Sequence, residues 1–168
     1  MDNYINDLDV LLQANHLEFY KTLRSGRDIS SRYPTGLRKW FSWKDGSRTS
    51  VAEVFHGSYF FCSHQEGLDI MDSMHENNWM KKMVFRCING MSATSMPLVI
   101  DNGGGGYYYD LKNESIKFFF EGERTIVLEG IHVMIKILTK MAEFGCHHTP
   151  LAVEAEFEML ECARNGHQ

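Results

Sequence analysis

Two carboxylates, Asp101 and Asp110, flank four glycines and three tyrosines in the stretch PLVIDNGGGGYYYDLKNESIKFFF, from Pro97 to Phe120. Residues of these types support three readings. A carboxylate pair can divide general-acid and general-base work when a cleft separates the two pKa values. A glycine run can cradle a phosphate on its backbone N–H groups. It can also be nothing more than a tight turn. No Gly-Lys-Ser/Thr follows the run, so it is not a Walker loop, and a strand pattern rather than a helix comes next, which excludes the dinucleotide fingerprint. Gly103, Gly104, Gly105 and Gly106 read as a hairpin loop with a close backbone approach, and a ligand cradle is the alternative.

Other chemistry is thinner. Cys146-His147-His148 invites a metal, with His56, His64, His75 or His132 as further ligands, but closed zinc sites present two spaced pairs. The trio reads as an exposed connection between helices, so no metal and no cofactor is expected. Ser58 in HGSYF and Ser92 in GMSAT lie outside any G-x-S-x-G elbow, leaving no nucleophile and a non-enzymatic expectation.

Charge is the more unusual feature. Residues 21–48 carry eight Lys/Arg against two acids, so the remainder holds −11 of a net −5. A pI near 5.9 argues against nucleic acid as the partner, because phosphate neutralisation needs a basic domain or face. The acidic remainder favours a cationic partner, and the basic stretch leaves room for a local anion. Asp69, Asp72 and Glu76 recur at i, i+3 and i+7 on one segment, and Glu154, Glu158 and Glu161 at i, i+4 and i+7 on another. Like charges at helical spacing cost about a few tenths of a kcal/mol per pair. Stripes that weaken their own helices are candidate contacts for a basic partner.

The elements that position these groups follow from periodicity. Apolar residues at Ile5, Leu8, Leu12, Phe19 and Leu23 predict a helix over 4–23. Gly26 marks a break, Pro34 sits early in a second helix burying Leu37, Trp40 and Phe41, and Gly46 stops it. A strand or hairpin spans 51–62, with Gly57 as turn or bulge. Ser63-His64-Gln65-Glu66 is a capping box, predicting a helix over 64–77 that buries Leu68, Met71 and Met74. Strands follow at 83–88, 97–101, 107–111 and 116–120. Gly130 to Phe144 is a helix lined by Ile131, Met134, Ile135, Leu138 and Met141, ended by Gly145. Thr149-Pro150 opens a last helix to about Ala163. The order predicts an α+β fold, one domain over 1–168, with a mainly antiparallel or mixed sheet packed by N-terminal and C-terminal helices.

Bulk properties place the molecule. At 168 residues and 43% hydrophobic, the chain can bury a core without staples. No apolar run nears the roughly 20 residues of a membrane span. The acidic start MDNYINDLDV is unlike a secretory signal, and four scattered cysteines fit reduced thiols, so a cytoplasmic protein is expected.

Three segments in order resemble one family. Tyr33-Pro34 through the Trp40-Phe41 helix to Asp45-Gly46 resembles its opening motif. Phe60-Phe61-Cys62-Ser63-His64-Gln65-Glu66 is similar to its strand entering a capped helix. Met96-Pro97-Leu98-Val99-Ile100-Asp101 with Gly103 to Gly106 and Tyr107-Tyr108-Tyr109-Asp110-Leu111 resembles its W-x-P-ϕ … G-G-x-ϕ-ϕ-x-D-ϕ strand pair, with Met96 in place of the tryptophan. The family is the SUKH superfamily, of fungal cell-wall-assembly regulators and bacterial immunity proteins. The match covers about 30–144, and 146–168 is a helical extension. The resemblance implies scaffold roles for Pro34, Trp40, Gly46, Pro97, the four glycines and Asp110, and a non-enzymatic protein that neutralises a toxin. The expected partner is a basic cognate toxin, such as a nuclease, met by the acidic stripes of a monomer or weak homodimer. A regulatory scaffold in envelope assembly and a small-molecule or anion-binding module are the alternatives.

Overall fold

The computed structural model of the chain describes residues 1–47, 55, 59–75, 94–101, 103–119, 125–144 and 150–165. The predicted first helix is two: α1 (Asp2–Asn15) and α2 (Leu17–Tyr20), divided at His16, whose backbone leaves the helical region at φ −134 and ψ 48. The His16 ring reaches across to the Ala142 carbonyl, 2.8 Å from Nε2, a tertiary contact that local periodicity does not encode. Leu23 belongs not to a helix but to a short strand, β1 (Leu23–Ser25). Helix α3 (Thr35–Trp43) starts one residue after Pro34, which is its N-cap, and buries Leu37, Trp40 and Phe41 as its spacing requires.

Gly46 does not stop α3. The helix ends at Trp43 because Lys44 turns directly into extended backbone, opening β2 (Lys44–Ser47), which pairs antiparallel with β1. Gly46 sits inside that strand at φ +88, where a Cβ would lie 2.6 Å from the Ser63 nitrogen. Its role is a close approach of two backbones in a conformation that side chains resist.

The second sheet has five antiparallel strands in sequence order: β3 (Phe60–Phe61), β4 (Ser95–Ile100), β5 (Gly106–Asp110), β6 (Ser115–Phe119) and β7 (Ile126–Leu128). The three strands expected between Pro97 and Phe120 are therefore present and joined by two turns. Pro97 pairs with Tyr108 at an irregularity in the β4–β5 register. β7 was not expected; at three residues it is too short to show alternation. The strand predicted at 83–88 and most of the 51–62 segment lie outside the described residues, as do Glu76 and Gly145.

Alternation along β5 divides the core. Tyr107 and Tyr109 enter the main cluster with Phe61, Val99, Ile116, Phe118 and Leu128, under α1, α3 and α5 (Ile131–Glu143). Tyr108 points the other way, into a smaller cluster with Cys62, Ile100 and Phe119, against which Ile70 of α4 (His64–His75) packs. Helix α5 buries the five predicted residues together with Ile137 and Ala142. The last helix, α6 (Pro150–Asn165), lies against α5 and β7. The result is a single α+β domain in which α1, α3, α5 and α6 cover the Tyr107–Tyr109 side of an antiparallel sheet, and α4 packs on β4 and touches both clusters.

Gly106 starts β5 at φ +139, and a Cβ there would meet the Val99 carbonyl oxygen at 2.2 Å. Gly106→Ala is expected to lower the unfolding free energy by at least about 2 kcal/mol, read from urea denaturation. A loss within about 0.5 kcal/mol, the range of a neutral surface change, would contradict this packing.

Candidate functional site

The glycine loop is built by its own aspartate. Asp101 Oδ1 accepts the N–H groups of Gly103 and Gly105, each at 2.8 Å. The Asp101 N–H donates to the Gly105 carbonyl at 2.8 Å, and the Tyr108 hydroxyl donates to the Gly104 carbonyl at 2.5 Å. The amide groups a phosphate would need at Gly103 and Gly105 thus already face a carboxylate, which supports the turn reading over the cradle.

Asp110 does the same work at the far end of β5. Its Oδ1 accepts the Lys112 N–H at 2.9 Å and the Thr94 hydroxyl at 3.2 Å. Its Oδ2 accepts the Asn113 amide at 3.0 Å and lies 2.9 Å from Lys117 Nζ. Burial pushes this carboxyl up, but the hydrogen bonds from Lys117, Lys112 and Asn113 outweigh it and leave the pKa below the ordinary value. Asp101 and Asp110 stand at opposite ends of a five-residue strand, roughly 15 Å apart at strand rise. They do not form an acid–base pair.

The acidic stripe on α4 is differently placed. Its helix is anchored by the predicted box: the Ser63 N–H donates to Glu66 Oε2 at 2.7 Å, and the Glu66 N–H to Ser63 Oγ at 3.2 Å. Asp45 accepts the His64 N–H at 2.7 Å, and Arg24 pairs with Glu66 at 3.2 Å. Leu68 and Met71 turn toward the core, half-buried, while the Met74 side chain lies outside what is described. On the opposite side Asp69 and Asp72 are exposed. Asp69 accepts a hydrogen bond from Gln65 at 2.9 Å, and neither has an ion-pair partner among the described residues.

The second stripe is not continuous with the first. Helix α4 packs on β4 and α6 on β7, with β5 and β6 between. Glu161 is paired with Arg164 at 3.3 Å. Glu158 borders an open apolar groove of about 590 Å³ between α1, α5 and α6, opposite Lys136 and Lys140. The Glu154 side chain lies outside the described residues.

The carboxylate that sequence reading missed is Glu156. It is 1% exposed, and the Tyr107 hydroxyl donates to its Oε1. The Tyr59 ring stands edge-on to Tyr107 at 6.0 Å, and its hydroxyl has no hydrogen-bond partner among the described residues. Burial drives the Glu156 carboxyl up to about 7, against the opposing pull of the Tyr107 hydrogen bond. Burial, then the charge of Glu156, hold the Tyr59 and Tyr107 hydroxyls well above their ordinary values. A signal existed in the chain: Glu156 shares a helical stripe with Val153, Leu160 and Ala163, where a glutamate is out of place.

The basic stretch is largely engaged within the fold. Lys21 pairs with Glu18, Arg24 with Glu66, Lys39 with Asp2, and Lys44 lies 4.0 Å from Asp9 and over the Tyr20 ring. A concavity of about 290 Å³ includes Arg38, Lys39, Thr35 and Ser42, but also Asp28. An anion there would compete with Asp2 for Lys39 and with Thr35 for Arg38. Among the described residues no three His, Cys, Asp or Glu side chains converge as a metal site requires. Cys146, His147 and His148 lie outside them. Among the described residues no helix is long and apolar enough to cross a membrane. No protein-family model and no curated protein matches the chain.

Asp110→Ala is expected to cost about 1–3 kcal/mol at neutral pH, since it removes the part-buried acceptor shared by Lys112, Asn113, Thr94 and Lys117. A carboxyl with a lowered folded pKa stabilises above its unfolded value, and that contribution disappears as pH falls through the folded one. Denaturation curves of wild type and variant should therefore converge in acid, below the 3.8 of an unperturbed aspartate. An undiminished gap there would mean that the charge of Asp110 is irrelevant.

Proposed function

We propose that the protein is an immunity protein, which binds one cognate bacterial toxin in the cytoplasm and occludes it. The toxin is a basic enzyme that acts there, such as a nuclease. The observation that carries this reading is the pair Asp69 and Asp72, exposed on α4 with no cationic partner among the described residues. Their helix is held by the Ser63–Glu66 box, by Asp45 and by Arg24, so the acidic face is already ordered before any partner arrives. A preordered face loses little conformational freedom on binding, which favours affinity. The two like charges disfavour each other slightly at i, i+3, and an opposing cation relieves that cost.

The internal carboxylates support the same reading from the other side. Asp101 and Asp110 are engaged with backbone amides and turn side chains, which supports an architectural part for both. The ordered motifs that resemble the SUKH superfamily fit a scaffold of this kind. Apolar contacts would provide most of the affinity, while the acidic face and the net charge of −5 set the encounter rate and the choice of partner.

The test uses the toxin candidate encoded by the neighbouring gene. Wild-type protein should form a 1:1 complex with it and restore growth on co-expression, with association slowing as salt rises. Asp69→Lys combined with Asp72→Lys should slow association by about tenfold or more at low salt, with a smaller effect on dissociation. Unprotected cells with the wild-type protein, or equal association rates for both proteins, would overturn the proposal.

A further inference from the structure

Helix α6 is fastened to the sheet by a contact whose character depends on one proton. Its Leu160 is fully buried and Phe157 meets Phe118 of β6 edge-on at 6.3 Å. Between these apolar contacts and β5 lies Glu156, 1% exposed, with the Tyr107 hydroxyl as its hydrogen-bond donor. Among the described residues, the groups facing it from the neighbouring elements offer no positive charge. β5 contributes Tyr107, and the segment before β3 contributes Tyr59, at which Asp101 adds further negative potential. β7 contributes only Ile126, Val127 and Leu128. The cations of α5, Lys136 and Lys140, border the open groove with Glu158, and Lys136 lies over the Tyr4 ring at 4.8 Å. His132 stacks on Tyr4. An ionised carboxylate in this position is buried with no countercharge among the described residues, which strongly disfavours the docked state.

We propose that α6 is a proton-controlled cover on the sheet: with Glu156 neutral it lies docked through Tyr107, Phe157 and Leu160, and ionisation of Glu156 loosens it and bares Tyr107 and Phe118. The direction follows from linkage. Docked, Glu156 keeps its proton to about pH 7; released into water, it loses the proton near 4.5. Between those values opening frees a proton that the docked helix retains, so the opening constant rises about tenfold per pH unit. Below the window the cover is at its tightest, and above it the opening constant levels off. This device lies outside the partner-binding reading, since neither α4 nor its aspartates take part.

Hydrogen–deuterium exchange of the full chain, followed from pH 5 to 8 and corrected for intrinsic exchange rates, tests it. Protection across 150–165 should fall about tenfold from pH 5.5 to 6.5 and flatten above 7, while α5 keeps its protection. Glu156→Gln, which cannot ionise, should abolish the slope and leave α6 more protected than wild type at pH 8. Tyr107→Phe keeps the ring but removes the hydroxyl that favours the carboxylate, so the flattening should move to higher pH. Constant wild-type protection between pH 5 and 7.5, an unchanged slope in Glu156→Gln, or parallel loss in α5 would each overturn the proposal.

Discussion

The register of β5 is the constraint on which the rest of the molecule depends. Five residues, Gly106–Asp110, pair on both sides and send alternate tyrosines to opposite faces of the sheet. A slip of one residue would send Tyr107 and Tyr109 to the side of the small cluster and Tyr108 among the long helices. Each end of the strand is closed by a carboxylate that holds its adjoining turn: Asp101 through the amides of Gly103 and Gly105, and Asp110 through Lys112 and Asn113. Gly106 adds a steric condition, since no Cβ fits against Val99. The glycine run and the flanking aspartates are thus one device, in which side-chain oxygens substitute for the ladder hydrogen bonds that turns cannot make.

Carboxylates divide by location rather than by motif. At the ends of β5, Asp101 meets two amides, and Asp110 meets an amide, side-chain donors and a lysine and favours the ionised form. Glu156, between helix and sheet, meets a single hydroxyl and favours the neutral form. Asp69 and Asp72 remain in water on a helix whose first turn is fixed by four separate contacts. Asp69 and Asp72 are exposed and have no ion-pair partner among the described residues, so their charge can act at long range. The two acidic stripes, similar in sequence, therefore differ in consequence: Glu161 is neutralised by Arg164 and Glu158 shares its groove with lysines, whereas α4 keeps its charge open.

What could be read in advance was local. The Ser63–Glu66 box, the three strands from Pro97 to Phe120 and the apolar face of the 131–143 helix are specified within a few residues, and the structure contains them as expected. What escaped was set by distant contacts. His16 breaks the first helix while reaching Ala142, Gly46 meets Ser63 rather than ending a helix, and β7 exists only as an added strand on β6. Glu156 was hidden by its neighbours in sequence, because Glu154, Glu158 and Glu161 recur at helical spacing beside it, whereas Glu158 and Glu161 are exposed and Glu156 is buried. That the two helices pack three strand positions apart is likewise a property of topology and not of spacing.

The two charged helices respond to different variables. An exposed pair such as Asp69 and Asp72 acts through water, where the Debye length of about 8 Å at physiological ionic strength governs its reach, so salt is the natural control on what α4 does. Glu156 is shielded from salt by its burial, and the proton is the natural control on how firmly α6 sits. Because α4 and α6 pack on different strands with β5 and β6 between them, a change at one need not disturb the other unless the central strands themselves move. The rigidity of β5, closed at both ends, is therefore what allows one small domain to keep an electrostatic surface and a titratable contact independent of each other.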